Sequence, residues 1–466
     1  MSQTTSPSRD LIRKRRASTL VGIDDTDDRS GGCTSYVAYR LAQAAERDLI
    51  GCPRLVRLNP SVPWKTRGNG ALALRFGRGR GRPRTIGRLQ GRPVRAYPAS
   101  RAAVDPEELL DRLWGVADSL AGGFQPGANP AIFTALRVPP PSLYWRAVRG
   151  VVPVAEYADF ARAHGWCRTR GGRRGLVGAV AATAWRPRDR TYEAIAFRQE
   201  RRWGTPRFVS EASVRAMDLA HPQTFNSYDW RRRRTVLTPH SPCPVLLGVR
   251  GETPNAVQRG LARLRSEPAQ GWITFETNQA TDDHVRPGGA PIPRTALSAT
   301  GSVAQRPRSI RGGHVAFSLV GRHALDCLAY EPTKQFRAVV RGLVVGDRIT
   351  VVGSIRGTPR GLNLEKLHIL RLATVRRKVA NPVCPCGTRM SSAGAGQGFR
   401  CGSCGRKSPS TTATFADLPR TIAPGWYEPP ASARRHLSKP LKRMGLGDAW
   451  GPHATVARIS MPIGST

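Results

Sequence analysis

Acidic residues are scarce in this chain: 32 Asp and Glu stand against 74 Lys and Arg in 466 residues, a formal net charge of +42. An excess of that size repels itself unless a polyanion neutralises it, and nucleic acid is the usual polyanion. The basic residues also cluster, as in Arg231 to Arg234, which argues against a merely solubilising surface. Long apolar runs are missing: nothing approaches the roughly 18 residues that a membrane span requires. The basic N-terminus has no apolar stretch and does not read as a secretory signal. No long amphipathic basic helix is evident, which counts against a membrane-surface role. Cysteine is sparse as well, nine in all, and four of the nine gather between 384 and 404. That grouping excludes a disulfide framework and points to a metal site. These absences predict a soluble, cytoplasmic protein that handles nucleic acid and has no membrane partner.

The length suggests three or four domains. After a basic tail, STLVGIDDTDD reads as a buried strand ending in a carboxylate-rich turn, and TSYVAYRLAQAAERD as a helix. PRLVRLNP and ALALRF follow as strands. The segment 77–101, rich in Arg, Gly and Pro, reads as an irregular insertion able to touch phosphates. Asp105 is placed to cap a helix, DPEELLDRLWGVADSLA. A second α+β unit begins near 131, with Gly165 as a helix C-cap, TYEAIAFR as a strand and Thr253 as an N-cap. From about 290 to 375, five alternating segments (SVAQRPRSI, HVAFSLVG, HALDCLAY, RITVVGSIRG and NLEKLHILRLA) suggest a small barrel, OB-fold or SH3-like. The tail from about 379 carries the cysteine cluster and then loses periodicity.

Four features carry chemistry. Asp24, Asp25 and Asp27 concentrate negative charge in one turn, which calls for a hard cation such as Mg²⁺. Strand alternation would send Asp25 and Asp27 to one side and Asp24 to the other. Downstream, Gly31, Gly32 and Thr34 precede a helix, where backbone N–H groups attract phosphate. Lys65, Arg67 and Asn69, in PWKTRGNGA, are suited to stabilise a transferring phosphoryl group. Finally Cys384, Cys386, Cys401 and Cys404 form a CxC and a CxxC, the pattern of a structural zinc ribbon with a shortened first knuckle.

GIDDTDD with GGCTS, RLVRLNPSVPWKTRGNGA, LYWRAVRGVVP, GRRGLVGAVAA, TYEAIAFR, TNQATDDH, YEPTKQFR and YEPPASARRHLSKPL together resemble the archaeal tRNA(Ile) agmatidine synthetases, in order and over nearly the whole chain. The resemblance implies a multidomain α+β protein: a basic disordered tail (1–17), a kinase-like ATP-binding domain (18–130), a ferredoxin-like domain (131–288), an OB-fold (289–378), and a zinc ribbon with the C-terminal tail (379–466). It implies an ATP- and Mg²⁺-dependent ligase. Such an enzyme joins agmatine to C2 of the wobble cytidine in the CAU anticodon of tRNA(Ile), through a phosphorylated cytidine, and releases AMP. By motif, Asp24, Asp25 and Asp27 would handle Mg²⁺ and phosphoryl transfer, and Thr34 matches the threonine that the family phosphorylates. Gly31, Gly32, Lys65, Arg67 and Asn69 would hold ATP. The cationic agmatine requires carboxylates, for which Glu193, Asp218, Asp229 and Glu252 are the candidates. The rival readings are a non-catalytic RNA-binding protein and a kinase acting on a small molecule or protein.

Overall fold

Alternation of side chains builds the largest sheet from the inside. In the strand Thr19–Asp24, Val21 and Ile23 face one core, as Leu72 and Leu74 do from Gly70–Phe76. Ala71 and Ala73, with Phe133 and Ala135 from Ala131–Ala135, face the opposite core. The computed structural model describes residues 2–5, 18–45, 47–66, 68–120, 124–357 and 361–447. Among them, twelve strands join in one mixed sheet. Its central order is Trp166–Arg170, Ala131–Ala135, Thr19–Asp24, Gly70–Phe76, Arg54–Arg57, Ala269–Thr277, Thr191–Arg198, Val245–Gly251. Helices Thr34–Ala44 and Pro106–Ser119 cover one face of its first half. Pro141–Arg149, Val154–His164 and Gly175–Ala184 cover the other. Asp105 caps its helix as expected, accepting from the amides of Glu107 and Glu108 at 3.0 and 2.9 Å. Thr253 caps Pro254–Ala262 in the same way, accepting from the Ala256 amide at 3.1 Å.

Three expectations need correction. The boundary placed at 130 falls inside the sheet, because Ala131–Ala135 pairs with Thr19–Asp24 residue for residue, Ile132 opposite Ile23. Residues 77–101 are not irregular. Arg84–Leu89 and Arg92–Ala96 form a hairpin whose Ile86, Leu89, Val94 and Ala96 enter the core, and Arg84–Leu89 pairs with Ala269–Thr277. Its turn residues Gln90 and Gly91 both have positive φ (46° and 81°), as a tight hairpin demands. Arginine on the exposed face masks the apolar alternation beneath. The basic tail contributes a strand, Ser2–Thr5, paired with Trp166–Arg170, while residues 6–17 lie outside the described ones.

Besides the pairing of Arg84–Leu89 with Ala269–Thr277, the two halves of the sheet meet along a parallel seam only two residues long, Glu276 opposite Arg54 and Thr277 opposite Leu55. TNQATDDH (277–284) extends that seam with side chains. Asn278 accepts from the Arg57 amide at 2.7 Å and donates to its carbonyl at 2.8 Å, imitating a further ladder step. Gln279 reaches Glu193, Asp282 reaches Lys366, Asp283 reaches Tyr144, and His284 lies 2.9 Å from Glu365. One octapeptide therefore links both halves of the sheet to the domain that follows.

That domain is a closed five-strand barrel. Ala296–Val303, His314–Gly321, Ala324–Ala329, Gly361–Arg371 and Arg348–Ile355 pair in a ring, which closes where Arg348–Ile355 meets Ala296–Val303. The first strand begins before the expected SVAQRPRSI, and a short helix, Gln335–Arg341, separates the third and fourth strands. No helix among the described residues is long and apolar enough to cross a membrane.

Beyond the cysteine cluster, Gly425–Tyr427 pairs with the barrel strand Gly361–Arg371. The chain then runs back over the sheet, with Leu437 in the core beneath Pro141–Arg149. Arg434 pairs with Glu428, Lys439 with Asp189, and Arg443 with Asp189 and Glu252. Although aperiodic, this stretch is a fixed strap, held by ion pairs instead of by regular structure.

Candidate active site at the acidic turn

The strand Thr19–Asp24 stops at Asp24 because Asp25 turns into the left-handed region, at φ 56°. The expected alternation of the three carboxylates therefore does not arise. Asp28 organises the loop that follows. Its carboxylate accepts from the amides of Ser30, Gly31 and Gly127 at 2.8, 3.2 and 3.1 Å. The Ser30 hydroxyl and these amides hold it below the usual carboxylate range. Gly31 and Gly32 are packed against Gln125, and Gly32 takes a φ of 72°. They line neither of the cavities described below.

Asp24 is pressed against the helix Gly175–Ala184. A Cβ on Gly178 would fall 1.8 Å from its Oδ2, and one on Gly22 would fall 2.0 Å from the Ala179 carbonyl oxygen. Burial, then the neighbouring charges of Asp25 and Asp27, push the Asp24 carboxyl well above its ordinary range. Asp25 is also raised, since burial outweighs its hydrogen bond to Asn129 and the charge of Arg174.

Two cavities meet at this turn. The first is lined by Asp24, Asp25 and Asp27 together with Trp64, Lys65, Asn69 and Arg174. Trp64 is 42% exposed and its ring lies beneath the Arg174 guanidinium, 5.0 Å from its centroid. Lys65 donates to the Pro60 carbonyl, and burial followed by the charge of Arg435 lowers its pKa. Asn69 donates to the Asn59 carbonyl at 3.0 Å. Arg67 lies outside the described residues.

The second cavity, about 460 Å³, opens between the two halves of the sheet and the strap. Its wall includes Asp27, Thr34, Arg57, Glu193, Arg250 and His436. Thr34 accepts from the Thr26 hydroxyl at 3.1 Å. Arg57, then burial, then Arg250 and Lys65 hold His436 well below the normal histidine range, so its ring is neutral at pH 7. Its Nδ1 lies 3.0 Å from Gln279 Oε1. Asp27 alone of the three carboxylates borders both cavities.

Of the four candidate carboxylates for the cationic substrate, only Glu193 lines either of these two cavities, and there it accepts from Arg250 at 3.0 Å. The other three are acceptors elsewhere. Asp218 takes the Trp230 indole N–H at 2.7 Å, Asp229 takes the Ser432 hydroxyl at 2.5 Å, and Glu252 takes Arg443 at 2.6 Å. Burial pushes Cys33 up to about 11, which leaves it a thiol, not a nucleophile. Arg174, Trp64, Asn129 and His436 were not legible as site residues in the sequence, because only the fold brings them to the acidic turn and its two cavities.

Family models match in chain order: a TiaS TCKD domain over 20–171, a TiaS FLD domain over 173–284 and a TiaS C-terminal zinc ribbon domain over 381–422. The isoleucine-tRNA 2-agmatinylcytidine synthetase TiaS of Archaeoglobus fulgidus is 39% identical over 91% of this chain and 97% of its own length. This chain belongs to the TiaS family. The Methanosarcina mazei synthetase is 37% identical over the same shares. Among solved structures, the complex of TiaS with its isoleucine tRNA and ATP aligns with a TM-score of 0.78 at 36% identity, covering 92% of this chain and 98% of that one. The complex of TiaS with the same tRNA, AMPCPP and agmatine aligns at 0.76 and 34%, with the same coverage.

The ribbon of this TiaS-family chain fits zinc despite its shortened knuckle. The four sulfurs of Cys384, Cys386, Cys401 and Cys404 lie within 4.8 Å of one another. Around a tetrahedral ion with bonds of about 2.3 Å, sulfurs stand about 3.8 Å apart. Each knuckle ends in a glycine of positive φ, Gly387 at 86° and Gly405 at 74°. The CxC closes because the Gly387 amide bonds back to the Cys384 carbonyl at 2.8 Å. Among the described residues this is the only group of three or more His, Cys, Asp or Glu donors close enough to share an ion. Asp24, Asp25 and Asp27 thus form no ready three-carboxylate cage.

Proposed function

We propose that this chain joins agmatine to C2 of the wobble cytidine in the CAU anticodon of an isoleucine tRNA, consuming ATP and forming agmatidine and AMP. The position of Asp27 in the walls of both cavities carries the reading. A phosphate-accepting cleft and a chamber for base and amine share one acidic turn, within a chain that spans the synthetases' length.

The first cavity takes the triphosphate. Lys65 and Arg174 face it with positive charge, and Asn69 and the start of the helix Gly175–Ala184 offer N–H groups. Asp24 and Asp25 would hold Mg²⁺, which neutralises phosphate charge when bound. Two carboxylates plus phosphate oxygens suffice for that ion, so no preformed cage is required. The second cavity takes the cytosine and the amine. Arg57, Arg250 and His436 fix the base and its phosphate, and Glu193 and Asp27 answer the cationic agmatine. Thr34, on the wall of that cavity, is the candidate for phosphorylation.

The chemistry follows in two steps. Cytosine O2 bonds to the γ-phosphorus of ATP while the bond from that phosphorus to the β,γ-bridging oxygen breaks and ADP leaves; cleavage of the remaining phosphoanhydride, by water or by the Thr34 hydroxyl, completes the conversion to AMP. The primary amine of agmatine then bonds to C2, the C2–O2 bond breaks with the phosphorylated oxygen departing, and the nitrogen gives up its proton. Phosphorylation makes a poor leaving group a good one, which the ring needs before an amine can displace its oxygen.

Around this site we assign a kinase-like first domain and a ferredoxin-like second domain, in which the helices Glu211–Ala220 and Pro254–Ala262 share one face. An OB-fold follows, consistent with the 1-2-3-5-4-1 pairing ring and the parallel third and fifth strands. The ribbon would hold a structural zinc, and we assign the protein to the cytoplasm, the compartment that suits a tRNA substrate. Incubation with ATP, agmatine and CAU-anticodon tRNA, followed by mass spectrometry of the wobble base, tests the function; an unchanged cytidine beside an active control overturns it. Asp25→Ala should cut AMP formation about a hundredfold or more while sparing tRNA binding.

A further inference from the structure

The arginine run 231–234 sits at the tip of a small hairpin, formed by Tyr228–Asp229 and Arg234–Thr235, that has no part in the chemistry above. Beside it lies a separate pocket of about 450 Å³ lined only by Arg215, Tyr228, Trp230 and Arg233. Two aromatic rings and two guanidiniums make up its whole lining, with no carboxylate.

The pocket is built and held. Tyr228 and Trp230 meet edge to face, with centroids 5.0 Å apart and planes at 75°. The polar edges of both rings are already used: Tyr228 donates to Glu211 at 2.5 Å and Trp230 to Asp218 at 2.7 Å. Tyr228 is buried in the core and backs the pocket, so what remains for a ligand is the ring face of the half-buried Trp230. The Arg215 guanidinium lies over Trp230, 5.8 Å from its centroid, and Arg233 stands exposed in the left-handed region at φ 48°. A planar, electron-rich group carrying an adjacent anion is the ligand such a lining selects.

The hairpin also reaches the second cavity. Asn226, just before it, and Val236 and Thr238, just after it, line that cavity. Ser432 of the strap donates to Asp229 at 2.5 Å and accepts from Arg232 at 3.2 Å, which fixes the hairpin against the cavity mouth. A strand of RNA whose target base enters the cavity can therefore run along the hairpin that carries this pocket.

We propose that the Arg215–Tyr228–Trp230–Arg233 pocket binds the base and phosphate of a nucleotide flanking the target cytidine. The inference rests on the tRNA-modifying reading above and names a contact of that same site. Stacking fixes the neighbour so that the target base can leave the stack, and the arginines take the backbone phosphate.

The test uses the full chain and CAU-anticodon tRNA carrying 2-aminopurine either 5′ or 3′ of the wobble position. Wild type should quench the probe at one of the two positions. Trp230→Ala should abolish that quench and weaken tRNA binding roughly tenfold to a hundredfold. Trp230→Phe should restore most of both, and KM for ATP should stay unchanged. Because Trp230→Ala also loses packing, Arg215→Gln with Arg233→Gln serves as a second variant, expected to flatten the salt dependence of binding. Unquenched probes at both positions, or wild-type tRNA affinity in Trp230→Ala and in the double variant, would overturn the pocket's role. So would an equal loss in ATP affinity, which marks a merely structural tryptophan. Wild-type tRNA binding and agmatine addition, measured alongside, report on the enzymatic reading separately.

Discussion

Asp24 shows how a residue can serve a site at the expense of the fold. Its carboxyl is raised by burial and by Asp25, so the folded state binds its proton more tightly than the unfolded chain does. Stability should therefore fall as pH rises from the unfolded value near 3.9 through the raised folded one. Asp24→Asn removes that penalty. It should unfold at a higher temperature at pH 7, by about 2–4 °C for each kcal/mol relieved, while ATP turnover collapses. Calorimetry beside an AMP assay checks both halves; a lower melting temperature would refute the argument. The acidic turn was legible in the sequence because carboxylates stand out in so basic a chain. Arg174 was not, since it reaches the turn only through the close contact that Gly22 and Gly178 permit between strand and helix.

At the scale of elements, the junction between sheet and barrel is ionic and pH-sensitive. Burial pushes the Glu365 carboxyl up, but His284 and Arg435 beside it and the Ser354 hydroxyl outweigh burial and hold it far below its ordinary range. A depressed folded pKa stabilises above the unfolded value near 4.3, and that contribution is lost as pH falls toward the folded one. Glu365→Gln should then cost about 3–5 kcal/mol at pH 7 and progressively less below pH 4, read from urea unfolding at both pH values. The zinc knuckles belong to this scale too. Cys401→Ser should abolish stoichiometric zinc in the purified chain and unfold the ribbon while the barrel's far-ultraviolet signature persists. Barrel strands were legible because period-two alternation survives there. The hairpin at 84–96 was not, because glycines and outward arginines dilute a four-residue apolar set.

The whole molecule combines one continuous sheet, a barrel and a ribbon under a single large positive charge. Eight arginines between 78 and 101 are exposed, and no acidic residue occurs in that stretch. Phosphate contacts should therefore dominate tRNA affinity. Filter binding should show a loss of about 10³-fold or more between 50 and 200 mM salt, the range expected for six to ten contacts. A salt-independent Kd would contradict it. The order of units was legible in the sequence, but their fusion was not: a two-residue parallel seam completed by Asn278 leaves no pattern in local periodicity.

The strap has a consequence in time. His436 and Arg435 complete the second cavity, yet they are synthesised after the sheet, the barrel and the ribbon. A nascent chain that has folded its sheet already has the lining of the first cavity, proposed above for ATP, but the chamber where the base would react still lacks a wall. A chain ended before Arg435 would therefore keep the cleft proposed for the nucleotide but have no finished chamber in which to use it.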